Sequence, residues 1–352
     1  METKLHVNLG QNSYDIRIAP GLLADIAQGI KPVYPEGRVF VVTDEHVDAL
    51  YGAKVMGSLE SAGYQPKKLV LPPGEKTKAY TTMAQVYQAM ADAKLTRKDL
   101  LLTLGGGVIG DLGGFAAATY LRGIPFVQVP TSLLAQVDSS VGGKVGVDLP
   151  EGKNLVGAFY QPKAVLIDPR SLDTLPDRFY RDGMAEVIKY GCIQNAVFFE
   201  ELEGFSSRQQ AAAHMQHIIA VCCDIKRQMV EQDERDMGLR MLLNFGHTIG
   251  HAIEKCHGYE DYTHGEAVAI GMVEMTKRTE RRGLTEPGTA LRIESLCRQY
   301  GLPVRDEKAD FTRIASAITM DKKNLGKTLK IVALEQLGKG VLVDTDPSFL
   351  EW

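Results

Sequence analysis

Between Met241 and Ile253 the chain carries neither lysine nor glutamate, and from Arg240 onward Arg240, Asn244, His247 and His251 follow one another at spacings of four, three and four residues. On a helix these side chains share one face, opposite Leu242, Phe245, Ile249 and Ile253. Solvated helix faces are usually rich in Lys and Glu, so an Arg-Asn-His-His stripe suits a ligand site, with a plain solvated face as the alternative. Two imidazoles at i and i+4 reach one metal ion if His264 or a carboxylate supplies a further donor. The same H-x-x-x-H spacing, without the catalytic glutamate of the zinc-protease motif, also occurs in proteins that bind no metal. Gly246 and Gly250 would let another element approach closely, although each costs ~1 kcal/mol in a helix interior. Glu186 and Lys189 share a face of an otherwise apolar stretch, where a surface ion pair is the competing reading. His214 and His217, set among Gln and Ala, read as surface residues.

Two glycine clusters suit anions. Gly105-Gly106-Gly107-Val108-Ile109-Gly110-Asp111 places G-x-G-x-x-G after the β-rich run Leu100 to Leu104 and before a helical pattern. Glycines there let the backbone approach a pyrophosphate, and the helix N-terminus offers N–H groups to it. The motif departs from the usual dinucleotide fingerprint, because the next strand ends in Pro130-Thr131-Ser132 and not in an acid. Asp44, which closes the strand Arg38 to Thr43, is the candidate ribose reader; a tight turn packing a helix on a sheet is the competing reading. The second cluster, Asp138 to Lys144 followed by Gly152-Lys153-Asn154, sets flexible backbone beside two lysines. It suits a phosphate or carboxylate, or is a solvated loop.

The elements that must position these groups change character along the chain. Strand-like runs at Arg38 to Thr43, Lys68 to Leu71, Leu100 to Leu104, Phe126 to Val129 and Ala164 to Ile167 alternate with helical patterns such as Thr81 to Ala93. An α/β layer with a largely parallel sheet is the economical architecture. Beyond about Leu175 helical patterns follow one another, over Arg178 to Asn195, Arg208 to Glu231, Leu239 to Cys256, Gly265 to Arg282 and Pro287 to Tyr300. The expected domains are therefore residues 1–176, α/β, and 177–352, all-helical, with the Leu175-Pro176 turn at the boundary. The 40 basic against 44 acidic residues give a net charge of −4, no general field for nucleic acid or an anionic membrane. Five cysteines, without C-x-x-C spacing, suit reduced thiols. No signal-like leader and no apolar run near the ~18 residues of a membrane span are visible, so a cytoplasmic location is expected.

Taken in order, Pro73-Gly74-Glu75-Lys76 with Lys78, Gly105 to Asp111, Arg122-Gly123-Ile124-Pro125-Phe126, Asp138 to Lys144, Gly152-Lys153-Asn154, Glu186-Val187-Ile188-Lys189, Asn244 to His251 and Asp321-Lys322-Lys323 form a specific set. The sequence resembles the 3-dehydroquinate synthase family over nearly its whole length. The resemblance implies an N-terminal Rossmann-like NAD-binding domain, a helical C-terminal domain, one divalent metal (zinc or cobalt) and a homodimer. By matching motif it implies Glu186, His247 and His264 as metal ligands, which displaces the i, i+4 histidine reading and leaves His251 to substrate or proton transfer. It places Asp44, Glu75, Lys78, Gly106, Gly107, Val108, Asp111, Thr131, Ser132, Thr174 and Leu175 at NAD. It places Asp138, Lys144, Lys153, Asn154, Lys189, Lys226, Arg240, Asn244 and one or both of Lys322 and Lys323 at substrate, with Asp138, Lys144 and Lys153 also counted at the cofactor. Arg122 matches an arginine that reaches across the dimer, and Asp236 stands where the family often has Glu.

The implied reaction takes 3-deoxy-D-arabino-heptulosonate 7-phosphate to 3-dehydroquinate and phosphate, a step of the shikimate pathway toward aromatic amino acids. It proceeds by transient oxidation with NAD, β-elimination, re-reduction, ring opening and aldol closure. A substrate with a carboxylate and a phosphate requires several converging cations. The competing reading, an NAD- and metal-dependent polyol dehydrogenase of a related two-domain fold, has no use for such a clamp.

Overall fold

A computed structural model of the chain describes residues 2–308, 314, 329–346 and 349. Lys322 and Lys323 lie outside the described residues. Two compact units result, one of Met1–Leu175 with Cys222–Arg235 and the other of Pro176–Val221 with Asp236–Trp352. The Met215–Gln232 helix is thus divided between them.

The first unit contains β1 (Thr3–Val7), β2 (Tyr14–Ile18), β3 (Arg38–Asp44), β4 (Gln65–Leu71), β5 (Leu100–Gly105), β6 (Phe126–Pro130), β7 (Lys144–Leu149), β8 (Gly152–Phe159) and β9 (Ala164–Ile167). Seven of these form one sheet in the order β1-β2-β9-β6-β5-β3-β4. Only β1 and β2 pair antiparallel within it; the other pairings are parallel. The central strands are nearly continuous apolar runs because both faces are covered. Val39, Val41, Leu100, Leu102 and Leu104 enter one core cluster, and the intervening Phe40, Val42 and Leu101 enter the other. That is the two-residue alternation of a strand applied to two cores. From β3 the chain winds outward to β4, and from β5 it winds the opposite way through β6, so the strand order reverses between β3 and β5. In parallel α/β sheets such a reversal opens a crevice at the carboxyl ends of the two strands. Asp44 ends β3 and Gly105 ends β5.

Of the second glycine cluster, Gly142 and Gly143 form a bend ahead of β7 at φ 94° and 65°, as a loop requires, whereas Gly152-Lys153-Asn154 opens β8, which pairs with β7 as an antiparallel hairpin. Gly146 and Gly157 face each other across it, and a Cβ on Gly157 would lie 2.4 Å from the Val145 carbonyl oxygen. Those glycines therefore serve close strand approach, a role the sequence pattern alone does not separate from loop flexibility.

The second unit is helical, with helices at Asp177–Gln194, Ala196–Gly204, Arg208–Ala213, His247–Cys256, His264–Arg281 and Thr289–Gln299. It also carries an antiparallel hairpin, β10 (Leu329–Gln336) with β11 (Lys339–Thr345), which corrects the all-helical expectation. Gly338, at φ 79°, makes the tight turn, and its N–H donates to the Cys192 carbonyl at 2.8 Å. Two long helices are also interrupted. Arg208 to Glu231 breaks at His214, and Leu239 to Cys256 is a 3-10 turn, Leu239–Asn244, followed by the helix His247–Cys256. Gly246, at φ 80°, separates the two pieces. No helix among the described residues is long and apolar enough to cross a membrane.

Candidate functional site

In the helical unit the break at Gly246 is what places His247. A Cβ on Gly246 would lie 2.7 Å from the Val268 carbonyl oxygen, and one on Gly271 would lie 2.0 Å from the Gly246 carbonyl oxygen. Glycine on both elements lets the His247–Cys256 and His264–Arg281 helices meet backbone to backbone, as expected for Gly246 and Gly250. His247 thereby opens one helix and His264 the next. Thr263 and Glu266 form a capping box at the latter, and Arg178 on the Asp177–Gln194 helix donates to both carboxylate oxygens of Glu266, at 3.1 and 2.9 Å. The Asp182 carboxylate accepts the Gly265 N–H at 2.5 Å, tying the same two helices together.

Glu186 stands one turn beyond Asp182 and is fully buried, ion-paired with the equally buried Lys189. Its Oε1 is 3.5 Å from His247 Nε2 and 3.5 Å from His264 Nε2. Donor atoms of Glu186, His247 and His264 lie within 4.8 Å of one another, whereas His247 and His251 share no such group among the described residues. The geometry therefore gathers an acid and two histidines from three helices, rather than an i, i+4 pair on one. A second group of the same kind joins His251, Glu254 and His264. Burial pushes the His247 imidazole down to about 3, so it stays neutral, the form that ligates a cation. Burial also opposes charge on His264, but hydrogen bonds to Glu186 and Glu254 outweigh it and hold the group at about 10. Two imidazoles and one carboxylate at this spacing are the donor set of catalytic zinc sites, so the residues present fit a divalent ion, whose binding would displace the His264 proton.

Around this set, Arg240 lies on the Leu239–Asn244 turn, which packs against the Asp177–Gln194 helix; it is 1% exposed. A guanidinium taken so fully out of water is held at real cost unless anions meet it. Asn244 and His251 are exposed. His214 and His217 are exposed as well, the latter 3.1 Å from Glu201, which agrees with the surface reading. Sequence reasoning missed Asp182 and Glu254; their only signal was a carboxylate at helical spacing from a proposed ligand or histidine.

In the α/β unit the Gly107–Thr119 helix begins with no side chain capping it, leaving its first N–H groups directed out of the end of β5. A Cβ on Gly106 would sit 3.3 Å from Ser132 Oγ and one on Gly107 3.1 Å from Ser139 Oγ, so a side chain at either position would crowd those serines. Asp44 Oδ1 accepts the His46 and Val47 N–H groups, each at 3.0 Å, so the residue caps the short helix that follows β3. Lys78 Nζ donates to Asp111 at 2.5 Å. Burial opposes the Lys78 charge, but Asp111 and Glu75 outweigh it and raise its pKa. Tyr51 shares a 2.6 Å hydrogen bond with Thr174, and Thr131 N–H donates to Gly105 at 2.9 Å. Uncapped helix N–H groups, a glycine loop and an acid at the neighbouring strand end fit a dinucleotide. In the same unit Lys226 Nζ donates to the Asp138 carbonyl and carboxylate at 2.7 and 2.8 Å, and Lys153 is 3.9 Å from Glu75. Asn154, at φ 56°, donates its N–H to Asp148 at 2.7 Å; Lys144 is exposed at the start of β7. Arg122 is exposed in a left-handed turn with Leu121 and Gly123.

Residues 68–182 match the family described as 3-dehydroquinate synthase N-terminal, and residues 183–324 match 3-dehydroquinate synthase C-terminal. The chain is 53% identical to a curated 3-dehydroquinate synthase of Clostridium botulinum, over 99% of each chain. Among solved structures it resembles the 2-epi-5-epi-valiolone synthase of Streptomyces hygroscopicus with NAD+ and Zn2+ bound: TM-score 0.87, 27% identity, 96% of this chain and 94% of that one. It resembles equally a 2-deoxy-scyllo-inosose synthase complexed with carbaglucose-6-phosphate, NAD+ and Co2+, with TM-score 0.87, 25% identity, and 99% and 98% of the two chains covered.

Proposed function

Because the chain belongs to the 3-dehydroquinate synthase family, we infer that it converts 3-deoxy-D-arabino-heptulosonate 7-phosphate to 3-dehydroquinate and phosphate with the residues assembled above. The observation that carries the assignment of residues is the convergence of Glu186, His247 and His264 beside buried Lys189. Bound NAD supplies reversible hydride acceptance, and the divalent ion supplies Lewis acidity at a substrate hydroxyl.

The chain's own side chains divide the remaining work. Glu186, His247 and His264 hold the ion in the domain of residues 177–352. The domain of residues 1–176 holds NAD, with the N–H groups of Gly106, Gly107 and Val108 on the pyrophosphate and Asp44 on a ribose hydroxyl. Glu75, Lys78, Asp111, Thr131, Ser132, Thr174 and Leu175 complete that cofactor set. Lys144, Lys153, Asn154, Lys189, Lys226, Arg240 and Asn244 neutralise and orient the substrate's carboxylate and phosphate, with Asp138 keeping the Lys226 ammonium in place. His251 exchanges a proton with a substrate hydroxyl. Exposed Arg122 acts in a partner subunit of a homodimer, a role supported by its held left-handed turn and by exposed Leu121, Leu155 and Phe159 in the same unit.

Parallel measurement of inorganic phosphate and absorbance near 340 nm tests the reading. One phosphate should appear per substrate consumed, a catalytic amount of NAD should serve many turnovers, and NADH should show no net growth. Stoichiometric NADH without phosphate would instead make the protein a dehydrogenase. Sedimentation equilibrium showing a monomer at micromolar concentration would remove Arg122 from the site.

A further inference from the structure

Glu254 is 2% exposed and stands on the His247–Cys256 helix seven residues after His247, hence two turns along the same face. Its Oε2 is 3.5 Å from His264 Nδ1, while His264 Nε2 is 3.5 Å from Glu186 Oε1. The His264 ring is therefore held edge to edge between two carboxylates, one on each nitrogen. The two nitrogens of an imidazole point apart, so Glu254 is not a donor to an ion held at Nε2. His247 has the same arrangement in another form: its Nδ1 lies 3.1 Å from the Phe245 carbonyl oxygen, and its Nε2 faces Glu186.

Resting on the reading that Glu186, His247 and His264 bind the divalent ion, we infer that Glu254 is the positioning residue for His264. Its carboxylate accepts the Nδ1–H, selects the tautomer whose Nε2 carries the lone pair, and aims that lone pair at the position shared with Glu186 and His247. Metal-binding imidazoles generally donate their other N–H to a carboxylate or carbonyl, and removing that partner costs about 10–100-fold in metal affinity. Phe245 serves His247 through its backbone and needs no particular side chain, whereas the support of His264 depends on the identity of residue 254.

The test uses the full chain, stripped of metal and titrated with Zn2+ against a chromophoric chelator, with Co2+ visible absorption as a second readout. Glu254→Asp keeps the charge but shortens the reach, and should weaken Zn2+ binding about tenfold or more and shift the Co2+ bands. Glu254→Gln keeps the reach and an accepting oxygen but loses the charge, and should bind Zn2+ more tightly than Glu254→Asp. Glu254→Asp binding as tightly as the unsubstituted chain, or Glu254→Gln proving the weaker of the two, overturns the inference. Two ions per unsubstituted chain overturn it as well, by placing an ion and not a proton between Glu254 and Nδ1. The underlying ligand reading is judged separately by His264→Ala, which should lose most bound metal; full occupancy there removes the reading itself.

Discussion

Arg240 is among the largest fully buried side chains, and its guanidinium offers a planar fork that lysine cannot reproduce. If it clamps a carboxylate or phosphate, Arg240→Lys keeps the charge and loses the paired geometry. We expect kcat/KM to fall about tenfold or more, equivalent to ~1.4 kcal/mol of transition-state stabilisation. Unchanged kcat/KM in a folded variant would exclude the clamp. A second residue sets an acid limit on stability. Asp306 accepts from Tyr262 Oη at 3.0 Å and from the Lys308 N–H at 2.9 Å, and lies 2.7 Å from His257 Nε2. Burial raises its pKa, but these bonds outweigh it and leave the group below the ordinary range. A depressed acid stabilises the fold above its unfolded pKa of ~3.9 and loses that contribution as pH falls through the lower folded value. The Tm gap between the unsubstituted chain and Asp306→Asn should therefore be widest above about pH 5 and narrow below about pH 4. An identical gap at about pH 6 and about pH 3 would contradict the assignment.

Among the elements, the two helices that begin with His247 and His264 depend on glycine at their contact. Gly271→Ala gains ~1 kcal/mol of helix propensity. It also puts a methyl 2.0 Å from the Gly246 carbonyl oxygen, a backbone atom that cannot rotate away. Overpacking typically costs ~1–3 kcal/mol, and this contact falls at the severe end, so strain should win. Thermal melting should show a lowered Tm and elemental analysis a reduced metal content, because the displaced residue adjoins His247. Gly57, in the Ala53–Ser61 helix, has nothing within 4 Å of its built Cβ. Gly57→Ala should raise Tm by a few degrees, from the same ~1 kcal/mol of propensity unopposed. Equal effects of the two substitutions would mean that close helix approach is not what Gly271 provides.

For the molecule as a whole, burial governs which thiols can react. Cys192, Cys222, Cys223 and Cys297 are buried and Cys256 is half-buried. Removal from water pushes Cys223 and Cys297 up to about 12, leaving little thiolate at neutral pH. A disulfide reagent added to the native chain should modify about one thiol rapidly and all five only after denaturation. Rapid loss of two or more would show that a core opens on that timescale. This reactivity pattern follows the burial of each thiol, since the five cysteines look alike in the sequence.

Short-range physics made much of the protein legible in one dimension. The apolar runs of β3, β5, β6 and β9 read as buried parallel strands because both their faces meet cores, and the glycine loop after β5 reads as an anion seat because it opens a helix. The candidate site residues were legible as types: Arg, Asn and His where Lys and Glu were expected. Tertiary structure decided which of them converge. His247 and His264 come from separate helices and Glu186 from a third, and they meet because Gly246 breaks one element and Gly271 admits the next. A helical period cannot foresee a break forced by a neighbour's backbone, so Leu239 to Cys256 reads as one continuous helix, and spacing alone leaves the i, i+4 histidine pair as one candidate metal set among others. The hairpins β7–β8 and β10–β11, and the supporting carboxylates Asp182 and Glu254, were hidden for the same reason. Local periodicity is set by hydrogen bonds a few residues apart, whereas a metal-binding set is defined by distances between segments that only packing brings together.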